Sequence, residues 1–318
     1  MRILILGGTR FIGPRVIRAL AGNEIAVFHR GSTCNKIAGV SNICGCREDL
    51  GSYRAIFQAL RPDVVLDMIP QNGEDAQIVV DTIKGMTGRL VAVSSGSVYR
   101  TFGVMIGTED APVDNTPSKE ESPLRSRLFP YRASKARSAN DPQRWLDHYD
   151  KIPAERVFLT QPDIRCSIIR LPMVYGPNDP DHRCAQYLRL MLAQQPIYLQ
   201  ETVAGWRNSR AFVDNVAEAI AQVVLRGAPQ RVYNAAELDD FTEAEWVSRI
   251  GDRIGWRSAV CRVPDGSGVG RPAINEFPYC TNFAQHLRMD TTRIRRELGY
   301  VETVPLEKAL ESTIRHYT

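Results

Sequence analysis

The chain has 318 residues, of which 43% are apolar and 24% charged, with a net charge of +4. That length and apolar share suffice for one large domain or two intimate ones around a sizeable core, and the mild positive charge does not by itself argue for nucleic acid as a partner. Seven scattered cysteines with no CxxC pair and no Cys/His spacing point to a reduced compartment rather than a metal site, and no apolar run approaches the ~20 residues of a membrane helix. The N-terminus runs straight into a strand-like segment, so the expectation is a cytoplasmic protein with no membrane association.

In chain order, residues 2–6 (RILIL) read as a buried strand, and FIGPRVIRALAG (11–22) as a helix ending at Gly22. EIAVFHR (24–30) is a second strand, and the stretch around NICGC (42–46) a weaker third. SYRAIFQALRP (52–62) predicts a helix that stops before Pro62, and DVVLDMI (63–69) a strand. AQIVVDTIKG (76–85) follows as a helix, RLVAVSS (89–95) as a strand, and IRCSIIRLPMVYGP (164–177) contains another. Strands alternating with helices at this pitch imply βαβ units and a parallel sheet. Two regions break the rhythm. Residues 100–141, rich in Pro, Ser, Asp and Arg, predict a long surface excursion, which is uncommon unless it serves a site. Beyond 177 the pattern is mixed, with helices near 183–194, 212–226, 243–255 and 305–317. Asn140-Asp141-Pro142 joins a capping side chain to a proline, and so predicts a helix over about 142–160.

The first turn, GGTRFIG (7–13), sits between a strand and a helix. Gly7 permits the bend, Gly13 permits close packing of helix on strand, and the helix N-terminus then points N–H groups at a pyrophosphate. Arg10 and Phe11 stand where a middle glycine is expected, so the motif departs from a strict GxGxxG. The predicted fold is α/β: a Rossmann-type doubly wound parallel sheet over 1–176, with a return segment near 212–235. The remainder, 177–318, is mainly a smaller C-terminal substrate lobe. Strand two ends Phe28-His29-Arg30-Gly31-Ser32, without the acid that accepts from a ribose 2′-OH. Arg10 and Arg30 are suited to grip a 2′-phosphate, so NADP is the expected cofactor and NAD the alternative.

Six segments occur in one order along nearly the whole chain: GGTRFIG, SSGSVYR (94–100), RLPMVYGPND (170–179), RAFVDNVAEAI (210–220), VYNAAE (232–237) and RRELGYVETVPLEKAL (295–310). Together they resemble the extended branch of the short-chain dehydrogenase/reductase superfamily, the NAD(P)-dependent epimerase/dehydratase family. The altered turn resembles an atypical subgroup carrying GGTRFIG. The resemblance implies an enzyme that epimerises, dehydrates or reduces a sugar-like or nucleotide-linked hydroxyl or ketone. A small-molecule substrate, nucleotide-sugars included, would lie between the lobes beneath the excursion; a homodimer is common in the family. Cofactor contacts would come from Gly7, Thr9, Arg10, Phe11, Ile12, Gly13, Arg30, Lys151, Pro172 and Val174. Cys46 stands where the family's GDxxD has its adenine-contacting acid (here GCRED, 45–49), although Asp49 remains. Arg207, Arg210 and Asp214 fall in the family segment that contacts a nucleotide-sugar diphosphate.

The family chemistry is hydride transfer at a carbinol carbon. A tyrosine takes the proton, a lysine four residues on lowers its pKa and holds the nicotinamide ribose, and a Ser or Thr orients the oxygen. Bringing a phenol from ~10 to near 7 needs roughly 4 kcal/mol. Resemblance places the hydroxyl at Ser95, three residues before Val98. The tyrosine and lysine admit two placements. The literal YxxxK is Tyr131 to Lys135. Alternatively, Lys151 and Glu155 resemble the KxxxE that follows the family tyrosine, and Lys151 lies 19 residues before Arg170, a helix-plus-turn span, against 35 for Lys135. In that register Asp147 takes the tyrosine position, and Tyr149 lies two residues before the lysine, about 200° round a helix. Tyr149 would then need a distortion, which Pro153 supplies in principle, whereas Tyr131 would swing in from the excursion. Lys151 is preferred over Lys135; Tyr131 and Tyr149 both stay open. The rival reading, supported by the missing helical YxxxK, is a non-catalytic nucleotide-binding or RNA-associated protein on the same scaffold. NDPDHR (178–183) lacks paired ligand spacing, and no metal is expected.

Overall fold

The computed structural model describes residues 1–31, 39–133, 136–269 and 282–318. Lys135, one of the two lysines considered, lies outside the described residues. Eleven strands form among the described residues: β1 (Arg2–Leu6), β2 (Glu24–His29), β3 (Ser41–Cys44), β4 (Val64–Asp67), β5 (Arg89–Ser95), β6 (Arg165–Leu171), β7 (Met173–Tyr175), β8 (Ile197–Gln200), β9 (Arg210–Phe212), β10 (Arg231–Asn234) and β11 (Val260–Val263). Seven make one sheet in the order β10-β6-β5-β4-β1-β2-β3, with every neighbouring pair parallel. The order reverses between β1 and β4, and in such sheets ligands bind beyond the C-terminal strand ends at that point. The short pairs β7–β9 and β8–β11 lie outside the main sheet.

The unbroken apolar run of β1 reflects burial on both faces. Ile3 and Ile5 enter one core with Val16 and Ile17 from the first helix, α1 (Ile12–Ala19), and with Leu20 just beyond its end. Leu4 and Leu6 enter the other. Helices α2 (Arg54–Leu60) and α3 (Gly73–Ile83) cover that second face, and their Phe57, Val79, Val80 and Ile83 fill it. A further helix, α4 (Arg100–Met105), opens the excursion.

The helix expected over 142–160 is broken. A 3-10 turn spans Arg144–His148, Tyr149 is extended (φ −81°, ψ 117°), and helix α5 starts afresh at Lys151–Leu159. Asp150 caps it: its carboxylate accepts from Ile152 N–H at 3.0 Å. Pro153 therefore stands in the first turn, where no N–H is needed, and distorts nothing. Tyr149 and Lys151 are not two positions of one helix.

Asp150 also fixes the excursion. It is fully buried and paired with buried Arg125 at 2.8 Å, and Phe129 N–H donates to the same carboxylate at 2.6 Å. The Arg125 Nε–H bonds Ser97 carbonyl at 2.6 Å. A second buried polar thread ties the sheet's far edge. Tyr99 donates to Asn234 Oδ1 at 2.6 Å and accepts from Arg170 at 3.0 Å; Arg170 pairs with Glu155 at 2.7 Å, and Glu155 accepts from Ser94 at 2.5 Å. Later in the chain α6 (Ala185–Leu192), α7 (Glu201–Gly205) and α8 (Val213–Arg226) follow; α8 returns to the sheet beside α1, and β10 pairs with β6.

Arg125→Met leaves Asp150 buried without its cation, and is expected to cost roughly 3–5 kcal/mol of unfolding free energy. Urea denaturation followed by circular dichroism measures the loss.

Candidate functional site

Two concavities open along the C-terminal edge of the sheet. The first, about 320 Å³, is lined by the glycine turn, by Phe28, His29 and Arg30 from the end of β2, and by residues after β3 and β4. Gly7 and Gly8 both hold φ +88°, in the left-handed region, and Gly7 N–H bonds Phe28 carbonyl at 2.8 Å. At Gly13 an added Cβ would lie 2.0 Å from Gly8 carbonyl oxygen, so α1 starts hard against the bend. Phe11, the residue before α1, adopts φ 45°, and no side chain caps the helix there. Gly7, Thr9, Arg10, Phe11, Ile12 and Gly13 all line this cleft. A tight bend feeding an uncapped helix start suits the pyrophosphate of a dinucleotide.

On the rim, Arg10 and Arg30 are exposed and have no ion-pair partner among the described residues. His29 is buried; its Nδ1 accepts from Gly31 N–H at 3.1 Å and its Nε2 lies 3.2 Å from Asn42 Oδ1. Among the described residues, Phe28, His29, Arg30 and Gly31 end β2 without a carboxylate. Beyond it, Arg47 and Glu48 line the cleft, whereas Cys46 and Asp49 are exposed outside its lining. Arg47 is held bidentately by buried Asp67, at 2.9 and 2.5 Å.

The second pocket, about 160 Å³, holds Ser95, Tyr131 and Pro172 together, with Leu171, Met173 and Met289 as apolar wall. Ser95 Oγ accepts from Ser97 N–H at 3.2 Å. The Tyr131 ring packs between Phe102 and Tyr149, with centroids 5.9 and 5.8 Å away. Tyr149 does not line the pocket. It packs on Trp145 at 5.4 Å, and burial raises its phenol pKa far above the usual value, against a role as base. Lys151 is buried with its Nζ 5.4 Å from the Tyr149 ring centre, and it donates to the carbonyls of Pro70 at 2.6 Å and Val93 at 3.3 Å. Burial pulls its pKa down to about 8, partly opposed by Asp67.

Two expectations need correction. Val174 is buried in the core, with its side chain packed among apolar residues, and lines neither concavity. Arg210 is buried and paired with Glu243 while its guanidinium lies 4.9 Å from the Trp246 ring centre, so its charge is already engaged. Arg207 lies near Asp240 and Glu245, and Asp214 pairs with Arg15 at 2.7 Å. The arginines that do line the second pocket are Arg183 and Arg288, together with Asn208. Arg183 pairs with Asp179 at 2.6 Å, which accounts for the acidic NDPDHR turn. Its i,i+4 spacing was available as a signal; for Arg288 no local signal exists.

The profile of the NAD dependent epimerase/dehydratase family matches residues 3–236. The dTDP-glucose 4,6-dehydratase of Neisseria gonorrhoeae is 22% identical, with 99% of this chain and 95% of that protein aligned. Its counterpart from Streptomyces niveus is 24% identical over 100% of this chain and 93% of its own length. Among solved structures, the UDP-glucose 4-epimerase of Thermotoga maritima with UDP-glucose gives a TM-score of 0.71 at 18% identity, covering 100% of this chain and 98% of that one. The UDP-glucuronic acid 4-epimerase of Bacillus cereus, in complex with UDP-glucuronic acid and NAD, gives 0.69 at 16% identity, covering 100% and 99%. Among the described residues no helix is long and apolar enough to cross a membrane.

The depressed lysine has a thermodynamic signature. Between about pH 8 and the 10.5 of a free amine, the unfolded chain holds a proton at residue 151 that the folded chain has released. The contribution of this group to stability therefore rises with pH across that window. Lys151→Met is expected to remove that rise, as read by urea midpoints at the two ends of the window.

Proposed function

The chain belongs to the NAD dependent epimerase/dehydratase family, and we propose that it acts on the carbinol or ketone carbon of a sugar-like substrate, nucleotide-linked sugars included, with NADP preferred over NAD. The observation that carries this reading is the pairing of two concavities on one sheet edge, a glycine-lined cleft and a pocket that joins Ser95 to Tyr131. When bound, the dinucleotide supplies a nicotinamide carbon that gives or accepts hydride. The glycine turn and the start of α1 hold its pyrophosphate, and Arg10 and Arg30 hold the 2′-phosphate. Lys151 would serve the ribose; in this structure its side chain is buried, lines neither concavity and donates to two backbone carbonyls.

Tyr131 holds and returns the substrate proton at its phenol oxygen, while Ser95 Oγ orients the reacting oxygen. Pro172, Leu171, Met173 and Met289 exclude water from the hydride path. The lobe of residues 177–318 contributes Arg183, Asn208 and Arg288 to the substrate. The nucleotide sugars named for the relatives are the natural first substrates to try. A second reading, cofactor binding without turnover, draws on one observation: four residues before Lys151 stands Asp147, not a phenol.

With dTDP-glucose or UDP-glucose and a dinucleotide, Tyr131→Phe is expected to lower turnover by about 10²–10⁴-fold with cofactor affinity intact; no turnover by the parent protein, alongside tight dinucleotide binding, supports the second reading instead. In titration calorimetry, Arg30→Ala is expected to weaken NADP by roughly 10–100-fold and to leave NAD within about twofold. Equal effects on both dinucleotides would refute the 2′-phosphate contact.

A further inference from the structure

Tyr131 belongs to the excursion, yet two carboxylates from one short run bracket it. Upstream, Phe129 N–H donates to Asp150 at 2.6 Å. Downstream, the buried Asp147 carboxylate accepts from Ala133 N–H at 3.3 Å, from Arg137 N–H at 2.9 Å and from the Arg137 guanidinium. The same guanidinium donates to the Tyr131 carbonyl at 3.0 Å, and Arg132 Nε–H donates to the Asp147 carbonyl at 2.9 Å. Asp147 and Asp150 both lie in the segment that leads directly into Lys151. The excursion is thus registered, on either side of its tyrosine, to the start of the helix that carries the lysine.

We propose that Asp147 is a positioning residue for the Tyr131 phenol. This rests on the reading of Tyr131 as the acid–base group. In a helical YxxxK, the i,i+4 geometry alone aligns phenol and ammonium. Here the residue four before Lys151 is an aspartate, and its carboxylate instead binds the backbone that follows a loop tyrosine lining the pocket. A carboxylate accepting three charge-assisted bonds is a strong anchor for such a loop. Displacing a reacting group by about 1 Å costs on the order of 10²-fold in rate, so loosening this anchor acts on turnover rather than on cofactor affinity.

A fluorine probe reads the anchor without any substrate. 3-Fluorotyrosine at position 131 is expected to give a resonance displaced from the random-coil position, and Asp147→Asn to return it toward that position. The same label at position 99, where the hydroxyl bonds Asn234, is expected to stay put and so reports that the fold is intact. Should Asp147→Asn disturb that control as well, Arg137→Ala, which removes only the guanidinium arm, replaces it. An unmoved resonance at 131 overturns the proposal. In turnover of dTDP-glucose, Asp147→Asn is expected to lower kcat by about 10–100-fold with KM and NADP affinity unchanged, and to cause no further loss in a Tyr131→Phe background. Equal losses in both backgrounds overturn the positioning role. Full turnover by Tyr131→Phe is a separate failure, that of the acid–base reading and of this inference with it.

Discussion

A carboxylate with no exposure to water must find a cation or lose its charge, and Asp150 finds Arg125. That single requirement draws together segments 25 residues apart. It brings the excursion across the C-terminal end of β5, through the Arg125 bond to Ser97 carbonyl. It sets where α5 begins, because the same carboxylate caps the helix. It thereby fixes where Lys151, the first residue of that helix, enters the interior. Much of the local architecture around the second pocket follows from where this one charge is compensated.

The glycine turn shows how far a motif can drift while its physics holds. What the bend requires is positive φ at Gly7 and Gly8 and the absence of a side chain at Gly13. The middle position tolerates Phe11 because its own backbone bends aside, at φ 45°, and leaves the helix start uncapped. The neighbouring arginine then stays on the rim, where charge is useful, rather than in the crease, where bulk is not. A close approach is also enforced beyond the turn: at Gly45 a Cβ would lie 2.4 Å from the Tyr53 ring.

Sequence patterning revealed the sheet well, because parallel strands buried on both faces must be continuous apolar runs, as at β1 and β5. That Ser95 and Pro172 lie at strand ends, where such sheets bind ligands, was legible for a related reason, although their roles were named only through the family resemblance. The break at Tyr149 was not. Asn140-Asp141-Pro142 carries every local mark of a helix start, while Asp150, the residue that performs the capping, is distinguished only by a partner far away in the chain. Arg210 misled in the same way, since nothing near it announces Glu243, 33 residues on. Local signals report what a residue can do; burial and distant partners decide what it does.

The thread from Ser94 through Glu155, Arg170 and Tyr99 to Asn234 reaches the outermost strand, where Arg170 and Asn234 stand opposite each other in the ladder. Edge strands held only by greasy side chains can slide by a pair of residues at modest cost, since alternate positions look alike to the core. Here sliding would strip an amide of its hydroxyl partner inside a water-free interior. The border of the sheet is accordingly keyed rather than merely greased, and changes in chain length around it must be taken up in the turns.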